Sequence, residues 1–423
     1  ACDLGLDALS RLFLLPVFGL GMVCAVAGGL ALRHENPRRH NLGAHWFFFL
    51  LLLLGLALVM TARDAVLFLP SWEIMSLAPF FLIDFNDGDS RVRDASWIYL
   101  VAAHLGAVAL LAFFVLLWQT TGATTLLPGG ALPLTLGTTG TGTLTALFIL
   151  AVLGFGAKAG LAPLHVWLPE AHPAAPSHVS ALLSGAMINA GLYGLTRTLG
   201  LLAPAGAAPE WWGWALLLLG LSTGLMGILK AAAQSNLKRL LAYSSVEHMG
   251  ILALGVGVGG LAVSGAMLHA VCHSLVKCML FLLSGNILAR YHTYSSYDVR
   301  GMRWTMPVTA ALWTAGFLAV AGSPPFGLFV SELLIFKGML AAEQPWLAAA
   351  YLILLAVIFV GLSVSVLRMV QGNRPTDMPA LRREAPCSVL PPLALGLAVL
   401  TLGLWIPNGL WNFLTRAAAL IGG

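Results

Sequence analysis

The chain has 423 residues, 59% of them hydrophobic and only 9% charged, with a net charge of +5. A water-soluble domain carries about 25% charged residues, so this composition excludes one. The positive balance fits basic cytoplasmic loops of a membrane protein and argues against a nucleic-acid surface.

Apolar runs of about 20 residues, each enough to cross a hydrocarbon core of roughly 30 Å as a helix, recur from end to end. In chain order they predict about twelve crossings, the length each needs setting the count. They lie near residues 8–32, 42–62, 64–85, 95–118, 143–168, 174–201, 211–231, 236–258, 261–290, 305–342, 346–370 and 387–415. The tenth is too long for one straight span, and "GSPPFG" (Gly322–Gly327) cuts it. It reads either as a hairpin of two short helices or as one crossing broken in the middle.

Loop charge separates these readings. One broken crossing puts Arg33, Arg38, Arg39, Arg91, Arg93, Lys230, Lys238, Arg239, Arg290, Arg300, Arg303, Arg368, Arg374, Arg382 and Arg383 on a single side. It leaves only Arg11, Arg63, Arg197 and Arg416 on the other. A hairpin would export Arg368 and the arginines after it, against the positive-inside tendency. The broken crossing is therefore expected, with both ends of the chain outside the cytoplasm. The uncharged stretch Thr120–Thr143 reads as an outer loop. Cys2, Cys24, Cys272, Cys278 and Cys387 form no CxxC and no metal-ligand spacing. The first residue is alanine and no signal-peptide pattern precedes the first apolar run, so upstream sequence is expected to be missing.

Titratable residues remain inside the apolar runs. They are Lys158, Lys277 and Lys337; Glu73, Glu247 and Glu332; and His104, His248, His269 and His273. In "HAVCHSLVK", the spacing of His269, His273 and Lys277 puts all three on one helix face, along about 12 Å of axis. A single intramembrane histidine can be a plain helix–helix hydrogen bond, Lys337 can snorkel from a helix end, and His165 can cap the break after Pro163. Taken together, ionisable groups of both signs on separate helices point to a proton pathway. Burial and neighbouring charge move Glu and Lys towards neutral pH, where histidine already titrates. Pro163 and the Pro324–Pro325 pair free backbone groups that only protein or a hydrated cavity can satisfy in a bilayer. "GFGAKAG" (Gly154–Gly160) is no phosphate loop: no Ser or Thr follows the lysine.

Five crossings over 42–201 can be laid against five over 202–371; an odd number of crossings inverts one unit relative to the other. The second crossing of each holds a related phrase, "EIMSLA" at Glu73 and "EHMGIL" at Glu247. The fourth is proline-interrupted in each and carries Lys158 or Glu332 as its charged station. Residues 1–41 supply a leading helix and basic loop, and 372–423 a basic loop and closing helix. The fold class is an all-α polytopic membrane protein with two inverted five-helix repeats, each with a broken helix.

"KAGLAPLHVWLPEAHPAAPSHVSALLSG" (Lys158–Gly185), "LKRLLAYSSVEHMG" and "HAVCHSLVKCMLFLLSG" resemble the antiporter-like membrane subunits. These are shared by respiratory complex I, group 4 membrane-bound hydrogenases and multisubunit cation/proton antiporters. The resemblance covers nearly the whole chain. It implies fourteen core helices, of which this chain starts at the third. It also implies that Glu73 is the acidic partner of the central lysine Lys158, that His269, His273 and Lys277 form a relay, and that Glu332 is the outlet. Glu247 and His248 belong to the same expected pathway. Asn189 stands where many relatives carry lysine, and Ser184 where others carry histidine, so the link between the units would rely on water or on the Asn189 amide.

"GSPPFGLFVSELLIF" and "YSSVEHMG" look nearest to the F-type subunit of hydrogenase-4-like and formate-hydrogenlyase-like complexes. The expected function is proton translocation driven by electron transfer in partner subunits, at the bacterial or archaeal cytoplasmic (inner) membrane. Expected partners are further antiporter-like chains, other membrane subunits, lipid, and a soluble arm with hydrogenase and iron–sulfur subunits. The nickel–iron centre and Fe–S clusters would lie in those partners, with no cofactor, metal or catalytic residue in this chain. The rivals are a subunit of a multisubunit Na+/H+ antiporter and a non-conducting spacer of the membrane arm.

Overall fold

A computed structural model describes residues 3–34, 41–122, 124–125, 140–202, 211–373 and 384–421. Most of the Thr120–Thr143 stretch, and Arg38, Arg39, Arg374, Arg382 and Arg383, lie outside the described residues. In chain order the helices are α1 (Ala8–Ala31), α2 (Leu42–Thr61), α3 (Ala65–Ile83), α4 (Ser90–Thr121), α5 (Thr141–Ala159) and α6 (Leu168–Ala174). There follow α7 (Ser177–Leu182), α8 (Ile188–Leu202), α9 (Trp211–Ala232), α10 (Leu237–Val258), α11 (Leu261–Tyr291) and α12 (Met302–Thr305). The last are α13 (Pro307–Val320), α14 (Gly327–Ala341), α15 (Pro345–Gln371), α16 (Pro386–Leu404) and α17 (Asn408–Ala419). A 3-10 turn over Leu164–Trp167 leads into α6, and a π turn over Leu183–Met187 makes α7 and α8 one span.

Eleven spans among the described residues are long and apolar enough to cross a membrane, and the shorter α13 and α14 share a further crossing. Among these residues there are isolated bridges but no strands. Several helix starts have a simple local cause. Asp7, Asn41, Asp64, Asp89 and Asn236 each accept a hydrogen bond from a first-turn backbone N–H, which satisfies donors that a helix cannot satisfy itself.

The tenth crossing is broken at Ala321–Phe326, and α13 and α14 pack on α11, α15 and α16 rather than along each other. That is one interrupted crossing, not a hairpin. Two boundaries differ from expectation. The fifth crossing continues beyond its break to Ala174 through α6. The stretch read as one crossing over 387–415 is two helices, because the chain leaves helical geometry between Leu404 and Asn408. The second of them, α17, packs on α1 and α11.

The two five-helix units share a succession of packed neighbours. In the first, α2 packs on α3, α3 on α4, α4 on α5, α5 on α8, and α8 back on α2. In the second, α9 packs on α10, α10 on α11, α11 on α13 and α14, these on α15, and α15 back on α9. The breaks repeat atom by atom. Gly160 and Gly322 both take left-handed φ values, 77° and 63°, which suits glycine. Leu161 N–H bonds the Gly156 carbonyl and Leu164 N–H the Leu161 carbonyl; Ser323 bonds Leu318 and Phe326 bonds Ser323 in the same way. Ala162–Pro163 and Pro324–Pro325 are both cis.

This register corrects one expectation. With Gly160 on Gly322, Lys158 falls on Val320, and Glu332 falls on Glu170 rather than on Lys158. The charged stations of the two broken crossings therefore sit on opposite sides of equivalent breaks.

Two packing features hold the stations in place. Along α9, Gly220, Gly224 and Gly227 let the backbone of α10 come close: a Cβ at Gly227 would lie 2.6 Å from Glu247 N, and one at Gly250 2.5 Å from Gly224 N. Small residues permit such approach in a membrane, where packing replaces the hydrophobic drive. On the outer side, Asp7 binds Arg63 (2.7 Å) and Arg197 from α8, and Arg197 also donates to Ser10 Oγ (2.9 Å) and Tyr193 Oη (2.7 Å). Burial opposes the Asp7 charge, but Arg197, the Ser10 backbone N–H and Arg63 together hold its carboxyl well below the usual carboxylate range.

Replacing Asp7 with Asn leaves two buried arginines without their carboxylate, and we expect a loss of about 3 kcal/mol. A lower melting temperature of the detergent-extracted protein checks this. Because the folded pKa is depressed, the Asp7 contribution should be fully present above about pH 3.9, the unfolded value, and fade only at more acid pH. Gly227→Val should wedge α9 from α10 at a cost of about 1–3 kcal/mol, read as a lower melting temperature and a smaller yield of folded protein.

Candidate functional site

Lys158 lies in the last turn of α5, just before Gly160 ends the helix. Its side chain is buried, and among the described residues no carboxylate comes within ion-pair distance of it. Nζ donates to Tyr99 Oη at 3.3 Å, and the Tyr99 hydroxyl donates in turn to the Ser76 carbonyl at 2.8 Å. The Trp72 and Tyr99 rings lie 5.9 and 5.2 Å from Nζ, so aromatic faces stand in for a counterion. Trp167 closes the box and donates to the Ala157 carbonyl at 2.9 Å. These side chains surround a cavity of about 10 Å³, room for about one water.

Glu73 is not in this box. Its carboxylate is 38% exposed on the outer face of α3 and lies 4.0 Å from His104 Nε2 on α4. It acts on Lys158 only through space. The two residues expected to pair are thus neighbours in field but not in contact. The reason is local: Trp72 and Tyr99 take the inward positions of α3 and α4 beside the lysine.

The second unit gathers its residues tightly. Glu247 and His248 on α10, and His269, His273 and Lys277 on α11, are all fully buried, and Glu332 on α14 is nearly so. Lys277 Nζ donates to the Leu241 carbonyl at 3.2 Å. Glu247 accepts from Ser244 Oγ at 3.5 Å and lies 3.7 Å from His248 Nδ1. The His248 and His273 rings are 5.1 Å apart, and both nitrogens of His273 lack a partner. His248 Nδ1 bonds His269 Nε2 at 3.0 Å, and His269 Nδ1 bonds Ser331 Oγ at 2.9 Å. The Glu332 carboxylate fills the hollow at Gly322, where a Cβ would overlap it.

The hydrogen bonds fix a polarity. The Ser331 hydroxyl donates to the Leu328 carbonyl at 2.7 Å, so it accepts from His269 Nδ1–H. With neutral rings, His269 Nε2 then accepts from His248 Nδ1–H, a tautomer assigned from the network. The row can therefore pass a proton from ring to ring and end at a hydroxyl beside Glu332. His248, His269 and Glu332 also bring ligand atoms within 4.8 Å of one another. A cation there would have to displace the ring-to-ring hydrogen bond.

Between the units, Asn189 donates to the Gly185 carbonyl (3.0 Å) and Ser274 Oγ (2.7 Å), while its Oδ1 is buried without a partner. Ser184, in the π turn, bonds Ser245 Oγ at 2.8 Å. Lys337 and His104 are exposed, whereas His165 is buried in the 3-10 turn after Pro163. Four buried groups escaped sequence reasoning. His45 and His178 meet at 2.9 Å between their Nε2 atoms, His172 is fully buried, and Lys238, read as a loop charge, is 1% exposed. His172 and His178 stood in plain sight within the Lys158–Gly185 motif, but nothing in the spacing said which way they faced.

The family described as NADH:quinone oxidoreductase/Mrp antiporter, TM, matches residues 62–358. Hydrogenase-4 component B of Escherichia coli is 34% identical over 81% of this chain and 51% of its own length. The hydrogenase-4 component F homolog of Methylacidiphilum infernorum is 30% identical over 98% of this chain and 88% of its own. Formate hydrogenlyase subunit 3 of E. coli is 33% identical over 81% and 57%. The chain thus spans about half the length of some curated relatives and most of another. An archaeal membrane-bound sulfane sulfur reductase chain shares the fold at a TM-score of 0.88 and 24% identity, over 100% of this chain and 84% of its own. A chain of the Mrp complex from Dietzia does so at 0.84 and 23%, over 98% and 83%. With the matched region covering more than half of the chain and both broken crossings in full, this protein is a multi-pass member of the NADH:quinone oxidoreductase/Mrp antiporter membrane-subunit family.

Proposed function

We propose that this chain conducts protons as the antiporter-like subunit of a complex-I-related redox complex of the membrane-bound hydrogenase type, in the cytoplasmic membrane. The observation that carries the reading is the buried row from Lys277 and Glu247 through His248 and His269 to Ser331 and Glu332. Such a row serves no obvious packing purpose: buried ionisable groups are expensive in a membrane and mark ion pathways. Lys158 is the buried cation of the first unit, held in its aromatic box and coupled to Glu73 through space. The hydrogenase-4 and formate-hydrogenlyase relatives support the general kind, a membrane subunit of a complex-I-related complex; the hydrogenase branch is our choice within it, and nickel–iron and iron–sulfur chemistry belongs to partner subunits in this reading.

The Glu73–His104 pair adds a partner requirement. A carboxylate and an imidazole on an outward helix face would meet lipid in an isolated chain, at a cost of a few kcal/mol. A neighbouring membrane subunit covering α3 and α4 removes that cost. It also gives electron-driven motion elsewhere in the complex a route to Glu73, and from there to Lys158.

In vesicles containing the intact complex, Lys158→Ala should abolish proton uptake coupled to electron transfer while leaving soluble-arm redox turnover largely intact. Unchanged uptake per electron would sink the reading and favour a spacer. Sodium-dependent proton movement without a redox substrate would favour an ion exchanger. Ser331→Ala removes the acceptor of His269 Nδ1–H, and we expect uptake to slow by about tenfold or more, at the low end of acid–base relay effects. Ser331→Thr, which keeps the hydroxyl, should retain most of the rate.

A further inference from the structure

Resting on the proton-conducting reading, we infer that the second unit has its own inlet from the basic face, through Lys238 and His172 to Lys277, so that Lys158 couples the row to electron transfer without supplying its protons. Two sets of observations lead there.

A lateral supply from the first unit meets hydroxyls and an amide already committed as donors. Ser245 Oγ donates to the Leu241 carbonyl at 3.0 Å, so Ser184 must be the donor in its bond to Ser245. Lys277 donates to that same carbonyl. Two donors converging on one carbonyl have no proton to pass between them, so Ser245 would have to turn away from Leu241 before a proton could reach Lys277. The other bridge, Asn189, spends its N–H groups on Gly185 and Ser274. On the Lys158 side, the Tyr99 hydroxyl likewise ends on the Ser76 carbonyl.

From the basic face the arrangement is different. The ends of α1, α3 and α11 and the starts of α7 and α16 enclose a cavity of about 530 Å³, with Asn86, Ser177, His178, Asn286 and Tyr294 on its walls. It has room for a cluster of waters, since about 10–15 Å³ admits one. Ala175 lines it, and the Ala175 carbonyl accepts from Lys238 Nζ at 2.6 Å; that ammonium also lies 4.9 Å from the Tyr294 ring. Behind the wall, next to Pro173, stands His172. It is fully buried, both of its ring nitrogens lack a partner, and the charges of Lys238 and Lys277 both act on it. Its ring stacks on Phe281 at 4.8 Å, one turn along α11 from Lys277. Ser180 Oγ holds the His172 carbonyl at 2.9 Å, which fixes the backbone that presents the ring. An imidazole with two free nitrogens in the field of two amines can take a proton on one nitrogen and release it from the other.

The test uses the intact complex in vesicles, with proton uptake from the basic-face side read per electron transferred. Lys277→Ala, His172→Leu and His172→Ala should all lower uptake by about tenfold or more. Imidazole added to the basic-face side should restore much of the His172→Ala loss, because the cavity admits it. A structural role for His172 would not respond to imidazole. Slow uptake from Lys277→Ala alongside normal uptake from both His172 variants overturns the inlet while leaving the conducting function standing. So does a slow His172→Ala complex that imidazole does not speed. Normal uptake from Lys277→Ala overturns the conducting reading and the inlet together. Where His172→Leu fails to assemble, His172→Gln, polar and of similar size but unable to relay a proton, must assemble and conduct slowly.

Discussion

A helix interrupted inside a bilayer exposes backbone groups that hydrocarbon cannot satisfy, and the rest of this molecule is arranged around meeting that demand twice. At the first break, Leu161 and Leu164 find carbonyls within the turn, and Ala162 N–H finds Thr223 Oγ1 on α9 at 3.0 Å. At the second, Ser323 and Phe326 repeat the local bonds. The borrowed Thr223 hydroxyl ties the first break to the second unit, so the first unit does not complete its own backbone chemistry alone. Each break also creates a hollow for one functional group. Lys158 sits just before the first, and the Glu332 carboxylate folds back into the second.

The price of this arrangement is polar groups left short of partners in the core. His172 and His273 have no partner at either nitrogen, and Glu247 Oε1 and Asn189 Oδ1 have none. Unsatisfied buried groups destabilise by about 1–3 kcal/mol each. Offsetting features frame the row: the glycine-mediated contact of α9 with α10, which seats the Glu247 backbone, and the Asp7–Arg63–Arg197 cluster on the outer side. A rigid frame around an under-satisfied middle suits the proposed conduit.

Much of this was legible in the sequence because membrane helices obey one strong rule, the length of an apolar run. The crossings, the interruption at "GSPPFG" and the shared face of His269, His273 and Lys277 follow from that rule and from helical spacing. What escaped depends on direction rather than composition. Glu73 faces outward because Trp72 occupies the inward position, and no period predicts that choice. Lys238 counts as a loop charge in any tally of basic residues, yet its ammonium turns inward to the Ala175 carbonyl. The register of the repeat was misread for a related reason. Charge drew the eye to Lys158 and Glu332, whereas the atoms that repeat belong to the uncharged turns at Gly160 and Gly322.

The short helix α6 carries a consequence for how such a chain can be recombined. It belongs by sequence to the first unit but lies against α10 of the second, with His172 stacked on Phe281 of α11. The two halves are therefore interlocked, not strung together. A chimaera cut between α8 and α9 would bring a foreign α6 to the native α10 and α11, and would mismatch the interior of the half it was meant to preserve. A seam that respects the contacts would have to keep α6, α10 and α11 from one parent, although α6 is far from the other two in the chain. Divergence of either half is constrained in the same way: substitutions at this contact in one unit have to be answered in the other.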